Sequence, residues 1–230
     1  MCVIIAMETK IPSLEVFEQC EKKNPHGGGI SWVANGKVHY KKGIEAHEAY
    51  DIAVHFGPPC IAHFRISTVG GKPKSLTHPF VVSKKSPLDL EGECDSVLFH
   101  NGHWHNWEKT CFDMVLNKNA VFPIDEMSDS RAMAWITGHC NPSWLGMIGQ
   151  KVVVQTHNSR QYFGEWQEVD DVYYSNLHWQ KVARQVEWWK DDRDPIVIAG
   201  KEKEKVLNEA LKCDSYEASE QYLRDKGYMV

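Results

Sequence analysis

CVIIAM, residues 2–7, is an unbroken apolar run that begins at the second position of the chain. It reads as a fully buried strand. Chain ends ordinarily fray, so burial this close to the start is unusual and sets the frame for the rest. Outward from it, Ser13 caps a helix to about Lys23, with Leu14, Phe17 and Cys20 at helical spacing. Residues 29–34 and 37–40 flank Asn35-Gly36, the pair that supplies the positive φ angles of a tight hairpin. A helix over 45–56 stops at Gly57-Pro58-Pro59. Residues 60–68 (CIAHFRIST) form a strand ended by Gly70-Gly71, and a polar loop leads to a strand over 80–83. A second loop runs to about Asp95, followed by a strand over 96–100 and helices over 106–117 and 128–138. From 151 to about 174 the pattern is β-rich, and a tail from about Lys201 is helical, with Val206, Leu207, Ala210 and Leu211 on one face. The strands come as hairpins and not in βαβ alternation. That predicts an α+β protein with mainly antiparallel sheets flanked by helices.

Composition narrows the classes of function. The 230 residues are 42% hydrophobic and 25% charged, which excludes a mostly disordered chain. No stretch reaches the ~18 apolar residues of a membrane span. The start of the chain has no basic leader, so no signal peptide is expected. The formal net charge of −5 lacks the footprint of a sequence-independent nucleic-acid binder. Seven cysteines, an odd number without a CxxC pair, read as reduced thiols in a cytoplasmic protein. A single domain over 2–230, with Met1 removed, is expected.

Four places in the chain offer chemistry. Removal of Met1 would leave Cys2 with a thiol and a free α-amine, and an amine of pKa ~8 can serve its own thiol as a base; a buried strand cysteine is the bland alternative. Arg65, at the end of a strand, suits bidentate grip on a carboxylate or else a surface salt bridge. Asn101-Gly102 follows a strand, where a side-chain amide and a backbone N–H can converge on one oxygen as an oxyanion hole, or form a type I′ turn. Asp129, after the N-cap Ser128, stays ionised at a helix start and could receive an ammonium or simply cap. His100, His103 and His105 lack an acidic or cysteine partner at ligand spacing, so no metal is expected. Trp104 and Trp107 read as core, and Trp188-Trp189 as a partner surface or half-buried edge.

Taken in order, Cys2, HFRISTVGG, HPF, HNG followed by Asn106, and SDS resemble the motif series of class II glutamine amidotransferases, and NPHGGGISW (24–32) is similar to a stretch of their free-standing members. The resemblance covers about residues 2–129. It implies a four-layer αββα sandwich of the N-terminal-nucleophile (Ntn) hydrolase type. It assigns Cys2 as nucleophile with its α-amine as base, Asn101 and Gly102 as the oxyanion hole, Arg65 as the clamp on the glutamine α-carboxylate with Thr68 beside it, and Asp129 as receiver of the α-ammonium. The implied reaction releases ammonia from the γ-amide of L-glutamine through a γ-glutamyl thioester, without a cofactor, for a synthase on another chain. Hydrolysis of another γ-glutamyl compound, or a binding module that keeps the fold without the activity, are the alternatives. The sequence departs from the pattern at His26, where Asp is usual, and at Gly28, where a bulky aromatic is usual; Gly28 is expected to open space beyond the substrate side chain.

Overall fold

The strand β1 (Val3–Met7) has every side chain buried, because it lies between a helical layer and a second sheet. The structure is a computed structural model that describes residues 2–66 and 73–180. Every element named here belongs to the compact unit Met1–Trp179. After β1 come α1 (Leu14–Lys23), β2 (Gly28–Ala34), β3 (Lys37–Ile44), α2 (Ala46–Phe56), β4 (Cys60–Phe64), β5 (Phe80–Val81), β6 (Glu91–Cys94) and β7 (Ser96–Asn101). Then follow α3 (Trp107–Lys118), α4 (Asp129–Thr137), β8 (Lys151–Thr156), β9 (Arg160–Phe163), β10 (Gln167–Val169) and β11 (Val172–Tyr174).

Two antiparallel sheets result. One has seven strands in the order β10-β11-β1-β4-β2-β3-β6, the other four in the order β5-β7-β8-β9. Period-2 alternation along β1 assigns its two faces. Val3, Ile5 and Met7 pack with Phe17 and Cys20 of α1 and Ala46, Ala49 and Ala53 of α2. Ile4 and Ala6 pack with Val97, Phe99 and Val153 of the smaller sheet. That sheet turns Leu98, Val152 and Val154 outward onto Met133 and Ala134 of α4, and α4 packs in turn against Cys111 of α3. The layers are helix, sheet, sheet, helix.

Local chemistry explains most boundaries. Asn35 and Gly36 take φ of 52° and 72° and close the β2–β3 hairpin. Gly57 ends α2 at φ 72°. Ser128 caps α4 by accepting from the Arg131 N–H at 3.2 Å. The structure departs from the sequence reading in four places. The strand expected over 60–68 ends at Phe64, and the one expected over 80–83 spans two residues. Residues 91–94, within the loop expected to run to about Asp95, pair with β3 as an exposed edge strand. Pro142–Ile148 forms a 3₁₀ helix that no periodicity announced. Thr68, the Gly70-Gly71 pair, Trp188-Trp189 and the tail from Lys201 lie outside the described residues.

Gly28 opens no space. A Cβ there would sit 2.9 Å from the Ile44 carbonyl oxygen and 2.9 Å from the Phe64 ring, so the glycine lets β2 pass closely between β3 and β4. The neighbouring Gly29 is tighter, with a Cβ falling 2.0 Å from the His78 carbonyl oxygen. That obstacle is backbone and cannot rotate away. Gly29→Ala is therefore expected to destabilise by roughly 1–3 kcal/mol through overpacking, read as a lower denaturation midpoint; an unchanged midpoint would contradict this packing.

Candidate active site

Alternation also gathers the side chains at one end of the sandwich. On β1, Ile4 and Ala6 face the smaller sheet, so two-residue periodicity turns Cys2 the same way. β1 and β4 pair Val3 with Phe64, which brings Cys2 opposite Arg65. On β7, Val97 and Phe99 face back toward the larger sheet, and Asn101 follows them. Three residues distant in sequence thus converge between the sheets.

Cys2 is held by the chain just beyond β4. Its Sγ accepts from the Ile66 N–H at 3.4 Å and lies 3.6 Å from the Ile66 carbonyl oxygen. Its own carbonyl oxygen accepts from Asn176 Nδ2 at 2.6 Å. Burial pushes the Cys2 thiol above its ordinary pKa, while the Ile66 N–H and the positive charge of Arg65 pull it down. Arg65 is 8% exposed, which disposes of a surface salt bridge. Burial lowers its pKa, and Cys2 and Asp129 act in the opposite sense. Its backbone extends the sheet, the N–H bonding the Gly27 carbonyl at 2.9 Å.

Neither Asn101 nor Gly102 has a positive φ, so this Asn-Gly pair is not the type I′ turn that Asn35-Gly36 makes. Asn101 ends β7 and donates from Nδ2 to Ser175 Oγ at 2.8 Å. A Cβ at Gly102 would fall 1.9 Å from Gln150 Oε1 and 3.0 Å from His100 Nε2, so the glycine lets both side chains pack close.

Asp129 opens α4, where the helix dipole favours an anion. Its Oδ2 accepts from the Trp104 N–H at 3.0 Å and its Oδ1 from the Ser130 N–H at 2.8 Å. Oδ1 also accepts from Ser130 Oγ at 3.4 Å, so the further lone pair for a ligand is on Oδ2. His103 Nδ1 lies 3.7 Å from Oδ2.

Cys2, Arg65, Gly102 and Asp129 line one cavity of about 170 Å³, together with His78, His100 and Trp107. Asn101 is buried and is not among the lining residues, although its chain neighbours His100 and Gly102 are. Trp107, read as core, is on the cavity wall and also packs on the α3–α4 core. Trp104 does belong to the core, against Trp144 at 5.5 Å. His100 is buried while His103 and His105 are exposed, and among the described residues no cluster has metal-ligand geometry.

Sequence reading missed two features. Ser175 and Asn176, directly after β11, grip Cys2, Ile4 and Asn101; the YYSN pattern ends a strand in hydrogen-bonding residues, the only available cue. The other is a cluster of buried imidazoles. The His63 and His78 rings lie 4.0 Å apart, and neither nitrogen of either ring, nor His100 Nε2, has a hydrogen-bond partner among the described residues. His100 Nδ1 pairs with Ser130 Oγ at 2.9 Å. Burial lowers His63 to about 3 and His100 to about 4, and drives His78 well below the ordinary value. All three are neutral at pH 7.

With this geometry in place, comparison with solved structures becomes informative. No family model matches the sequence, and no curated protein matches it. Among solved structures, the chain is similar to the glutamine phosphoribosylpyrophosphate (PRPP) amidotransferase from B. subtilis complexed with ADP and GMP, with a TM-score of 0.52 and 12% identity over 76% of this chain and 41% of that one. A second, titled the structure of the allosteric regulatory enzyme of purine biosynthesis, gives 0.53 and 16% over 76% and 41%. The chain spans less than half the length of these structures. The fold is accordingly that of the Ntn hydrolases, α+β with two antiparallel sheets between helices.

The buried imidazoles set the response to acid. Their folded pKa values lie below the unfolded value of ~6.5, so between about pH 4 and 6.5 the unfolded chain binds more protons and stability falls as pH falls. The slope is about 1.4 kcal/mol per pH unit for each histidine fully protonated only on unfolding. Urea midpoints taken between pH 7 and pH 5 should show that decline, and His78→Leu should flatten it; equal slopes in variant and wild type would contradict it.

Proposed function

We propose that the chain is an Ntn-type cysteine amidohydrolase that cleaves the γ-amide of L-glutamine. The observation that carries this reading is the single cavity walled by Cys2, Arg65, Gly102 and Asp129, four residues from separate elements. A cation and an anion flank a thiol, which suits an amino acid whose reactive amide lies at its far end. The guanidinium takes the α-carboxylate bidentately and Asp129 the α-ammonium. A ligand lacking either group forgoes a charge-assisted hydrogen bond and is selected against.

The chemistry follows from these placements. With Met1 removed, the α-amine of Cys2, at pKa ~8, takes the thiol proton. The thiolate forms a bond to the γ-carbonyl carbon, and the electron pair moves to oxygen. Asn101 has a second Nδ2 proton beyond the one given to Ser175, and with the Gly102 N–H it stabilises that oxyanion. Collapse breaks the C–N bond, ammonia leaves with the proton held by the α-amine, and a γ-glutamyl thioester remains. Water then attacks the thioester carbon as the amine takes its proton, the C–S bond breaks, the amine returns that proton to sulfur, and glutamate departs. Thr68, outside the described residues, would border the carboxylate pocket. The ammonia serves a synthase on another chain; hydrolysis of a different γ-glutamyl amide would use the same groups.

The test is ammonia release from L-glutamine. Wild-type protein should turn over, and Asn101→Ala should lower kcat by on the order of 10²–10³ with KM nearly unchanged. An Asn101→Ala variant with wild-type kcat would remove the oxyanion role.

A further inference from the structure

Ser175 occupies an unusual place in the β1–β11 ladder. The register Ile5 to Tyr174 puts Ser175 opposite Ile4, and its N–H bonds the Ile4 carbonyl at 3.1 Å as a ladder residue should. The return bond does not go to the Ser175 carbonyl. The Ile4 N–H donates to Ser175 Oγ at 2.8 Å. The side chain replaces the carbonyl, and both Ser175 oxygens turn to the other sheet. Oγ accepts from Asn101 Nδ2 at 2.8 Å, and the carbonyl accepts from Lys151 Nζ at 2.6 Å. Asn101 and Lys151 are themselves cross-strand partners, the last residue of β7 opposite the first of β8. One fully buried serine thereby ties the strand that carries Cys2 to the strand end that carries Asn101.

We propose that Ser175 is a positioning residue for the reaction, fixing the Asn101 amide relative to Cys2. This rests on Asn101 acting as the oxyanion donor. The Asn101 side chain can rotate about two bonds, and its Nδ2 must present one proton to an oxygen that appears only in the transition state. Ser175 Oγ takes the other proton and locks that rotation. Because the same Oγ holds the Ile4 N–H, two residues from the nucleophile, the distance between attacking sulfur and oxyanion donor is set through a single atom. Both lone pairs of Oγ are engaged by these two donors, and Ser175 is fully buried and not among the residues lining the cavity, so its effect passes through Asn101.

A double-mutant cycle on the full chain tests this, with L-glutamine turnover as readout and active sites counted by a glutamine-mimicking diazo ketone. Ser175→Ala should lower kcat roughly ten-fold by misplacing the donor, with KM within about two-fold of wild type. In the Asn101→Ala background the same substitution should cost nothing further, because the group it positions is gone. Ser175→Thr, which retains the hydroxyl, should recover most of the rate. Should Ser175→Ala fail to fold, Ser175→Cys takes its place in the cycle, since a thiol fills the site but accepts weakly. Equal losses in both backgrounds, or no loss in either, would overturn the positioning role while leaving the hydrolase reading intact. A wild-type protein that neither turns over glutamine nor takes the label would overturn the hydrolase reading and this role with it.

Discussion

Burial of β1 on both faces is the constraint from which the site follows. Three of its side chains go to the helical layer and two to the smaller sheet, each large one contributing about 1.5–3 kcal/mol. A one-residue slip would exchange the two sets, presenting residues sized for one layer to the other. The register of β1 against β4 and β11 is therefore fixed, and with it the position of the residue just before the strand. Cys2 needs no helix or loop to aim it. It stands where a rigid central strand begins, opposite Arg65, with its carbonyl tied to Asn176 and its sulfur to Ile66.

The same end of the sandwich concentrates buried polar groups that the interior would otherwise reject. Arg65, Asn101, Ser175 and Asn176 are all at most 8% exposed; a hydrogen bond across the gap joins Asn101 to Ser175, and Asn176 holds the Cys2 carbonyl beside it in the larger sheet. Ser31 on β2 and Gln155 on β8 make a further polar link between the sheets. The imidazoles are a different solution, since they shed their charge. His63 and His78 pack as neutral rings against each other, and His78 also packs against Phe80 and Phe99. The cavity beside Cys2 is thus bounded by the Arg65 guanidinium, by the acidic side chains of Asp129 and Glu108, and by rings that include the neutral His78 and His100.

Much of this was legible in the sequence for physical reasons. Turn chemistry at Asn35-Gly36 and Gly57, and the apolar runs of β1, β7 and β8, are local signals, and they placed most elements within a residue or two. The edge strand Glu91–Cys94 was not legible, because three of its four residues are exposed and an edge has no apolar face to advertise it. Cys2, Arg65, Gly102 and Asp129 were each singled out as chemistry-bearing residues, and the fold brings them to one cavity. Gly28 was misjudged since a missing side chain looks the same in sequence whether the space belongs to a ligand or to Ile44 and Phe64. Ser175 offered only the cue of a strand that ends in hydrogen-bonding residues, which does not reveal its role. Its significance comes from a register between β1 and β11, separated by 171 residues at the Ile4–Ser175 contact, and no local pattern encodes that.

The account turns on a free N-terminal cysteine as the nucleophile, and intact mass addresses it most directly. The purified chain would be weighed before and after incubation with a glutamine-mimicking diazo ketone, and the adduct located by peptide mapping. The account predicts a chain that has lost Met1 and gains one adduct on Cys2, with no gain in Arg65→Ala. A chain that retains Met1, or an adduct on any other cysteine, would contradict it.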